Sequence, residues 1–456
     1  MKQARVSLLV GLILSGGGVF AQTHAAVAIK DARVITVSGE ELPKATVVMR
    51  NGLITDVGVA AGVPADAWVI DGNGLTIYPG FIDALSTWGI PAPPAARGGG
   101  GTTQPAAAAA TTTTEPRARG PEDRPQTFSY ERAADLVTPT DSRLEIARAA
   151  GFTTAATYPT RGIFQGLGAM IDLAGQRGRD MVIVQPIGQQ ISFRQGGFGR
   201  TGFPGSLMGN ISYVRQLFLD LDQYQQAKQI YASNPTGNRR PEYDHALEGL
   251  AESPRLLLPA GESQQIDRML HFAPELKKPF LLYGLHEAYE RIDLLKQTNA
   301  PLLVSLKWPE KPKDGDPSEI PSFRELTIRD RAPSVPGLLA KAGVRFAFYS
   351  DGIESAAELK KALKKALDAG LSRADAIRAL TLNAAEIYGV ADRLGTIEKG
   401  KIANLVVTKG DAFEEKTTVE YVFVDGQEFH PSKELQQGPP PGGGRRSGIP
   451  SGEVEQ

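Results

Sequence analysis

The stretch Thr76-Ile-Tyr-Pro-Gly-Phe-Ile-Asp-Ala-Leu-Ser-Thr-Trp88 separates a small β unit from a longer barrel-like unit, and the rest of the chain is organised around it. An apolar strand entered through the Pro-Gly pair would carry Asp83, Leu85 and Thr87 on one face, because side chains alternate along a strand. The end of such a strand is where chemistry is expected in a barrel. Leu85 and Thr87 do not readily bind a metal, so this face is a poor start for a metal site.

The composition is that of a globular protein with balanced charge. Its 456 residues are 41% apolar, and 50 basic against 51 acidic residues leave a net charge of -1. This balance gives no electrostatic reason to expect nucleic acid as a partner. The length suits one large domain with a satellite.

Residues 1–21 have the organisation of a cleavable signal peptide. Lys2 and Arg5 precede an apolar run from Val6 to Leu14, and a cleavage region follows. The run is shorter than the ~20 apolar residues of a membrane span, and no later stretch supplies one. Because the chain has no cysteine for lipid attachment, the prediction is a periplasmic or secreted protein without a membrane span.

Strand patterns on both sides of the barrel predict one composite β domain. Residues 28–70 alternate around an Asn51-Gly52 turn, and two runs after residue 400 repeat the pattern. Each set is too small to bury a core alone. Residues 22–78 and 392–430 are therefore predicted to form a β-sandwich together.

Residues 79–391 are predicted to form a TIM-type (β/α)8 barrel, since strand-length apolar runs alternate with helical patterns. A doubly wound sheet is less favoured because no Gly-x-Gly-x-x-Gly turn follows an early strand. Residues 91–127 and the tail, residues 431–456, contain few large apolar residues and are predicted to be disordered. The predicted strands are residues 153–158, 181–185, 255–259, 279–284, 301–306 and 344–350, and the predicted helices are residues 141–150, 264–272, 287–297, 356–367 and 373–380.

Three motifs carry a resemblance to a known family. They are Pro79-Gly-Phe-Ile-Asp83, Phe348-Tyr-Ser-Asp-Gly352, and a run from Ala379-Leu-Thr-Leu-Asn-Ala-Ala-Glu-Ile-Tyr-Gly389 through Leu394-Gly-Thr-Ile-Glu-Lys-Gly-Lys-Ile-Ala-Asn-Leu-Val-Val407. With them the chain resembles the amidohydrolase superfamily, specifically its imidazolonepropionase-like branch. The resemblance implies a metal-dependent barrel beside a small β-sandwich. It also implies hydrolysis of carbon-nitrogen bonds other than peptide bonds, often in cyclic amides.

Active members of that family hold one or two divalent ions at the barrel mouth. Their ligands are His-x-His on the first strand, Lys or Glu on the fourth, one His each on the fifth and sixth, and Asp on the eighth. The metal lowers the pKa of a bound water, and the resulting hydroxide attacks the substrate. The Asp also serves as a proton shuttle.

At those positions this chain carries other residue types. Leu85 and Thr87 replace the first two histidines, and Pro259 and Gly284 stand at the fifth- and sixth-strand histidines. Asp351 alone matches, and no residue stands out for the fourth strand. Beyond the signal region, four of the five histidines remain, as many as a binuclear site needs, but they are scattered along the chain.

Each candidate site residue keeps an alternative role. Asp351 has a functional role, as a metal ligand or proton acceptor at the barrel mouth, or it caps the helix that starts near Ser355. His286 is either a catalytic group at a strand end or a hydrogen-bonded histidine before a helix beginning at Glu287. Asp83 is either a ligand or an acceptor for backbone amides.

The sequence therefore favours a superfamily member in which catalysis is impaired or lost. Two alternatives stay open: an active hydrolase whose mononuclear or rebuilt site uses Asp351 and His286, and a non-catalytic ligand-binding or partner subunit of an active relative. No cofactor is expected, or at most one weakly bound divalent metal such as zinc. The expected partners are a small-molecule ligand and, in an oligomer, copies of this chain or a related amidohydrolase.

Overall fold

The structure is a computed structural model that describes residues 26–91, 124–193, 204–311, 320–414 and 416–437. The predicted signal peptide, most of the predicted insertion and most of the predicted tail lie outside these residues. Within the described ranges, no helix combines the length and the apolar character that crossing a membrane requires.

Strands and helices alternate after an initial run of strands. The strands are β1 Ala26–Val34, β2 Leu42–Arg50, β3 Leu53–Gly58, β4 Trp68–Asp71, β5 Thr76–Pro79, β6 Phe81–Ser86, β7 Phe152–Thr157, β8 Phe164–Leu167, β9 Ala169–Asp172, β10 Val182–Val184, β11 Gln189–Ile191, β12 Leu256–Ala260, β13 Phe280–Gly284, β14 Leu302–Ser305, β15 Phe346–Tyr349, β16 Leu405–Thr408, β17 Val419–Val424 and β18 Gln427–Phe429. The helices are α1 Ala133–Leu136, α2 Arg143–Ala149, α3 Gly178–Met181, α4 Leu207–Ser233, α5 His245–Glu252, α6 Ser263–Phe272, α7 Ile292–Thr298, α8 Phe323–Arg331, α9 Val335–Ala342, α10 Ala356–Asp368, α11 Arg373–Leu380, α12 Leu382–Tyr388 and α13 Lys433–Gln437.

Strands from both sides of the barrel form one mixed sheet of eight strands. Seven follow the order β18-β17-β16-β5-β1-β2-β3, and β4 pairs with β1. The β2–β3 hairpin turns at Asn51 and Gly52, whose φ angles of 51° and 79° suit the predicted tight turn. An isolated antiparallel bridge also joins Leu53 at the start of β3 to Ile402, just before β16. The predicted β-sandwich formed from both ends of the chain is confirmed.

The barrel strands form two sheets, in the orders β10-β9-β7-β6 and β15-β14-β13-β12-β11-β8. Strands β6 and β7 are parallel, and so are β11 through β15, as the alternating pattern predicted. Strands β8 and β9 instead run antiparallel to their neighbours. The prediction of an α/β barrel fold class is confirmed. In the middle of the barrel, the antiparallel strands β8 and β9 interrupt the simple β-α repeat.

The two barrel sheets meet on both sides. On one side Gly168 N–H donates to Gly188 C=O at 2.9 Å. On the other side the Ser350 N–H donates to the Asp83 carboxylate at 3.0 Å, which joins β15 to β6. Below the mouth, facing positions on β12 to β15 fill the interior with apolar side chains, as in barrels of this type. These fully or almost fully buried residues are Leu257, Leu281, Leu303 and Ala347.

Several predicted boundaries were wrong. The tail prediction included helix α13, whose Gln436 is 6% exposed and exchanges hydrogen bonds with the Val419 backbone at 2.8 and 2.9 Å. The insertion prediction included Thr127, which is buried and hydrogen-bonded to Tyr213. The helix predicted over residues 287–297 is a short 3-10 turn followed by α7.

Candidate ligand site at the barrel mouth

A cavity of about 230 Å³, open to solvent, lies at the carboxyl ends of β6, β13 and β15. This is the end of the barrel at which sites of TIM-type proteins lie. Leu85 and Thr87 contribute from the first barrel strand, Tyr283 from β13, and Tyr349 and Asp351 from β15 and the turn after it. The cavity therefore coincides with the region in which the sequence predicted a candidate site.

Asp83 ties the first barrel strand to the last one. Its carboxylate accepts hydrogen bonds from Trp88 Nε1 at 2.7 Å, from Ser350 N at 3.0 Å and from Leu85 N at 3.4 Å. Burial raises the pKa of Asp83 to about 6, although these donors act in the opposite direction. The carboxylate thus has the second of its two predicted roles, accepting backbone amides, with an indole N–H in addition.

Arg143, which the sequence did not single out, donates hydrogen bonds to Thr87. In the family resemblance, Thr87 stands at the second histidine of the first-strand His-x-His motif. Its Nη1 donates to Thr87 Oγ1 at 3.1 Å, and its Nη2 donates to Thr87 O at 3.0 Å and to Ile90 O. Asp141 and Glu354 balance the guanidinium at 2.8 and 3.0 Å. A guanidinium therefore joins the end of β6 to the loop before α10, and its charge lies beside the Thr87 hydroxyl.

On β13, the strand that corresponds to the family's sixth barrel strand, the side chain at the cavity is that of Tyr283. The expected ligand position on this strand is its neighbour, Gly284. Tyr283 lines the cavity and donates to Ile191 O at 2.9 Å. Gly284 has φ of 107°, and a β-carbon there would lie 3.0 Å from Gly261 Cα, away from the cavity. Pro259 pairs with Tyr283 in the β12–β13 ladder and shares its face, but offers no side-chain donor atom.

Asp351 is half-buried at the cavity, in a turn with φ of 51°. Its Oδ2 accepts a hydrogen bond from Ser305 Oγ at 2.8 Å. The N-cap of α10 is Ser355, whose side chain accepts from Glu358 N at 3.4 Å. The alternative in which Asp351 caps this helix was therefore wrong, and its carboxylate remains at the mouth.

His286 packs edge-on against Trp308 with ring centroids 6.4 Å apart. Its Nε2 is buried and has no hydrogen-bond partner within the described ranges. Burial lowers the pKa of His286, against the opposing influence of Asp351, of the Lys307 backbone and of Glu287. Burial therefore favours the neutral form of the imidazole, and its buried Nε2 has no hydrogen-bond partner among the described residues.

The residues at the mouth do not fit a binuclear metal centre. In the part of the chain that the structure describes, no three His, Asp or Glu side chains converge as ligands. Of the predicted ligand positions, Leu85 is apolar, the Thr87 hydroxyl is bonded to a guanidinium, and Asp351 supplies a carboxylate. One weakly held divalent ion near Asp351 is compatible with these donors, whereas a histidine-rich pair of ions is not.

Comparison with known proteins agrees with the architecture. Residues 260–429 match the Amidohydrolase family. An amidohydrolase from Thermotoga maritima MSB8 aligns with a TM-score of 0.70 and 25% identity, covering 89% of this chain and 100% of that one. A Xaa-Pro dipeptidase with methionine bound in its active site aligns with a TM-score of 0.53 and 14% identity, covering 89% of this chain and all of that one (100%), which shows the fold alone.

An adenine deaminase of Moorella thermoacetica is 36% identical over 79 residues, 17% of this chain, and the alignment spans 13% of the deaminase. The imidazolonepropionase-like branch stays a prediction from sequence. The family match over residues 260–429 and the similarity to the Thermotoga amidohydrolase across 89% of the chain identify this protein as a member of the amidohydrolase superfamily.

Proposed function

We propose that this chain binds a small molecule at its barrel mouth and that the superfamily's metal-dependent hydrolysis of carbon-nitrogen bonds is impaired or lost. The observation that carries the proposal is the guanidinium of Arg143, which donates to Thr87 Oγ1 at 3.1 Å. The hydroxyl at this ligand position is thus occupied by a hydrogen-bond donor that a metal ion would have to displace. Among the described residues, no three His, Asp or Glu side chains converge to compensate for that loss.

The other groups at the first strand add to this barrier. Leu85 is 6% exposed and presents an apolar surface where a ligand atom is needed. Asp83 has its carboxylate committed to three hydrogen bonds, and its pKa of about 6 favours the neutral form below that pH. The remaining carboxylate, Asp351, is a single anchor for a metal ion.

The test is metal content. Purified protein is incubated with excess zinc, passed over a desalting column and analysed for bound metal, alongside Asp351→Ala and the matched surface variant Asp368→Ala. The proposal expects well below one zinc per chain in all three proteins. One tightly held zinc per chain that disappears in Asp351→Ala and persists in Asp368→Ala contradicts it.

A second candidate is a hydrolase with a rebuilt mononuclear site. The observation that favours it is the partnerless, buried Nε2 of neutral His286, since neutral imidazole is a metal ligand and Asp351 acts on it electrostatically. This candidate expects one zinc per chain that is lost in both Asp351→Ala and His286→Ala. Retention of zinc by His286→Ala excludes the site as stated.

We also propose a periplasmic or secreted location, from the charge and apolar pattern of residues 1–21. Expression of the full chain in a Gram-negative host, followed by fractionation and amino-terminal sequencing, tests it. Processed protein in the periplasm supports the proposal. Full-length protein retained in the cytoplasm contradicts it.

A further inference from the structure

The charged side chains that line the mouth cavity are acidic. Among the described residues that line it are two acids, Asp351 and Glu354, and no lysine, arginine or histidine. Glu354 is already paired with a guanidinium at 3.0 Å. The Asp351 carboxylate has a neutral hydroxyl, Ser305 Oγ, as its hydrogen-bond partner in the described structure. The cavity thus contains one carboxylate whose charge no described cation balances.

A second, independent feature of the cavity is a buried hydrogen-bond acceptor without a donor in the described structure. Gln165 lines the same cavity and is 6% exposed. Its amide nitrogen donates to Thr160 O at 3.1 Å, while its Oε1 is buried with no donor in the described structure. A buried acceptor without a partner is destabilising, so such groups are normally satisfied by a water or by a ligand.

The walls of the cavity suit a positive charge. Tyr349 is 4% exposed, and its ring meets that of Tyr283 edge-on with centroids 6.4 Å apart. Both tyrosines line the cavity. Aromatic faces attract ammonium and guanidinium groups and also cover the apolar part of a ligand. At about 230 Å³ the cavity lies just below the ~300–1,000 Å³ of pockets for drug-sized ligands, so it suits a small ligand.

We propose that the mouth cavity binds a small organic cation, an ammonium or guanidinium group on an apolar body, through the Asp351 carboxylate and Gln165 Oε1, with Tyr283 and Tyr349 as aromatic walls. The inference rests on the proposed function, because it assumes that the mouth is a binding site rather than a metal centre. It adds the chemical class of the ligand. The Asp351 carboxylate repels anions, and a neutral ligand would leave it without a cationic partner.

The experiment uses three probes of one size and three charges: benzylammonium, benzyl alcohol and benzoate. Affinities for the full chain are measured by ligand-observed NMR titration at neutral pH. Benzylammonium is expected to bind at least ~10-fold more tightly than benzyl alcohol, and benzoate more weakly than both, since charge-assisted hydrogen bonds are about twice as strong as neutral ones. Raising sodium chloride from about 0.02 M to about 0.5 M should weaken benzylammonium alone.

Substitutions in the cavity test whether its residues cause the preference for a cation. Asp351→Asn should lower the affinity for benzylammonium to that for benzyl alcohol, and Gln165→Leu should lower it by several-fold. The matched control Asp368→Asn removes an acid that is 64% exposed on the outer helix α10 and should leave all three affinities unchanged. The salt titration needs no variant, so the inference stays testable if Asp351→Asn does not fold.

Equal affinity for benzylammonium and benzyl alcohol overturns the inference, as does absence of measurable binding by any probe. Unchanged benzylammonium affinity in folded Asp351→Asn overturns it too. The proposed function fails on a different result, stoichiometric zinc that depends on Asp351. A protein without zinc and without charge preference therefore refutes the ligand class alone.

Discussion

Replacing Arg143 with alanine removes the cation that joins the barrel mouth. The Asp141 side chain is 5% exposed and would lose its ionic partner at 2.8 Å, and the carbonyls of Thr87 and Ile90 would lose a donor. Breaking a buried pair from one side costs ~3–5 kcal/mol, because the remaining charge is left uncompensated. The exposed partner Glu354 adds ~0–1 kcal/mol. We expect the free energy of unfolding to fall by about 3–5 kcal/mol.

Urea unfolding followed by circular dichroism and tryptophan fluorescence measures this loss. The matched control is Arg33→Ala, which breaks an ion pair with Glu41 whose side chains are 49% and 56% exposed, and should cost at most ~1 kcal/mol. Arg143→Lys keeps the charge but not the planar set of donors, so it should fall between the two. A loss in Arg143→Ala no larger than in Arg33→Ala would refute the role assigned to this guanidinium.

Three further predictions concern stability. Burial raises the pKa of Asp172 to about 7, so the stability that its protonated form contributes is fully present below about pH 4 and is lost as the pH rises through 7. Over this interval the free energy of unfolding of the wild type should fall by up to ~4 kcal/mol relative to that of Asp172→Asn. A difference between the two proteins that stays constant with pH in urea titrations would contradict the reasoning. Gly80→Ala would overlap the Thr153 side chain and should cost ~1–3 kcal/mol, whereas Gly62→Ala, with open space around it, should be neutral within ~0.5 kcal/mol in the same assay. Tyr388→Phe removes a buried hydrogen bond of 2.6 Å to strand β6 and should lower the free energy of unfolding by ~1–3 kcal/mol; an unchanged urea midpoint would argue against that bond.

The parts of the fold that were predictable are those with a strong local signal. The Asn51-Gly52 turn and the apolar runs that became β12 to β15 were identified within a few residues. Helix α4, with 27 residues, was missed because its second half is polar and its mean hydropathy is low. Its buried residues Tyr213, Val214, Leu217, Phe218 and Leu221 repeat at helical spacing and could have identified its first half.

The site was predictable in its position but not in its side chains. The motif ending at Asp83 located the mouth, and the replaced ligand positions could be read from the sequence. Arg143 could not be assigned to Thr87, because 56 residues separate them and a single arginine before a helix has many possible partners. Tyr283 was missed because a shift of one residue along a strand reverses which side chain faces the interior.

The pairing of β5 with β16 has a consequence during synthesis. Thr76–Pro79 hydrogen-bonds along its length to Leu405–Thr408, and these strands lie on opposite sides of the whole barrel in the sequence. At ~5–20 residues per second, tens of seconds pass between their appearance. During that interval β5 has an open edge, and open edges pair with other chains. This edge of β5 stays without its native partner until residues 405–408 have been synthesised.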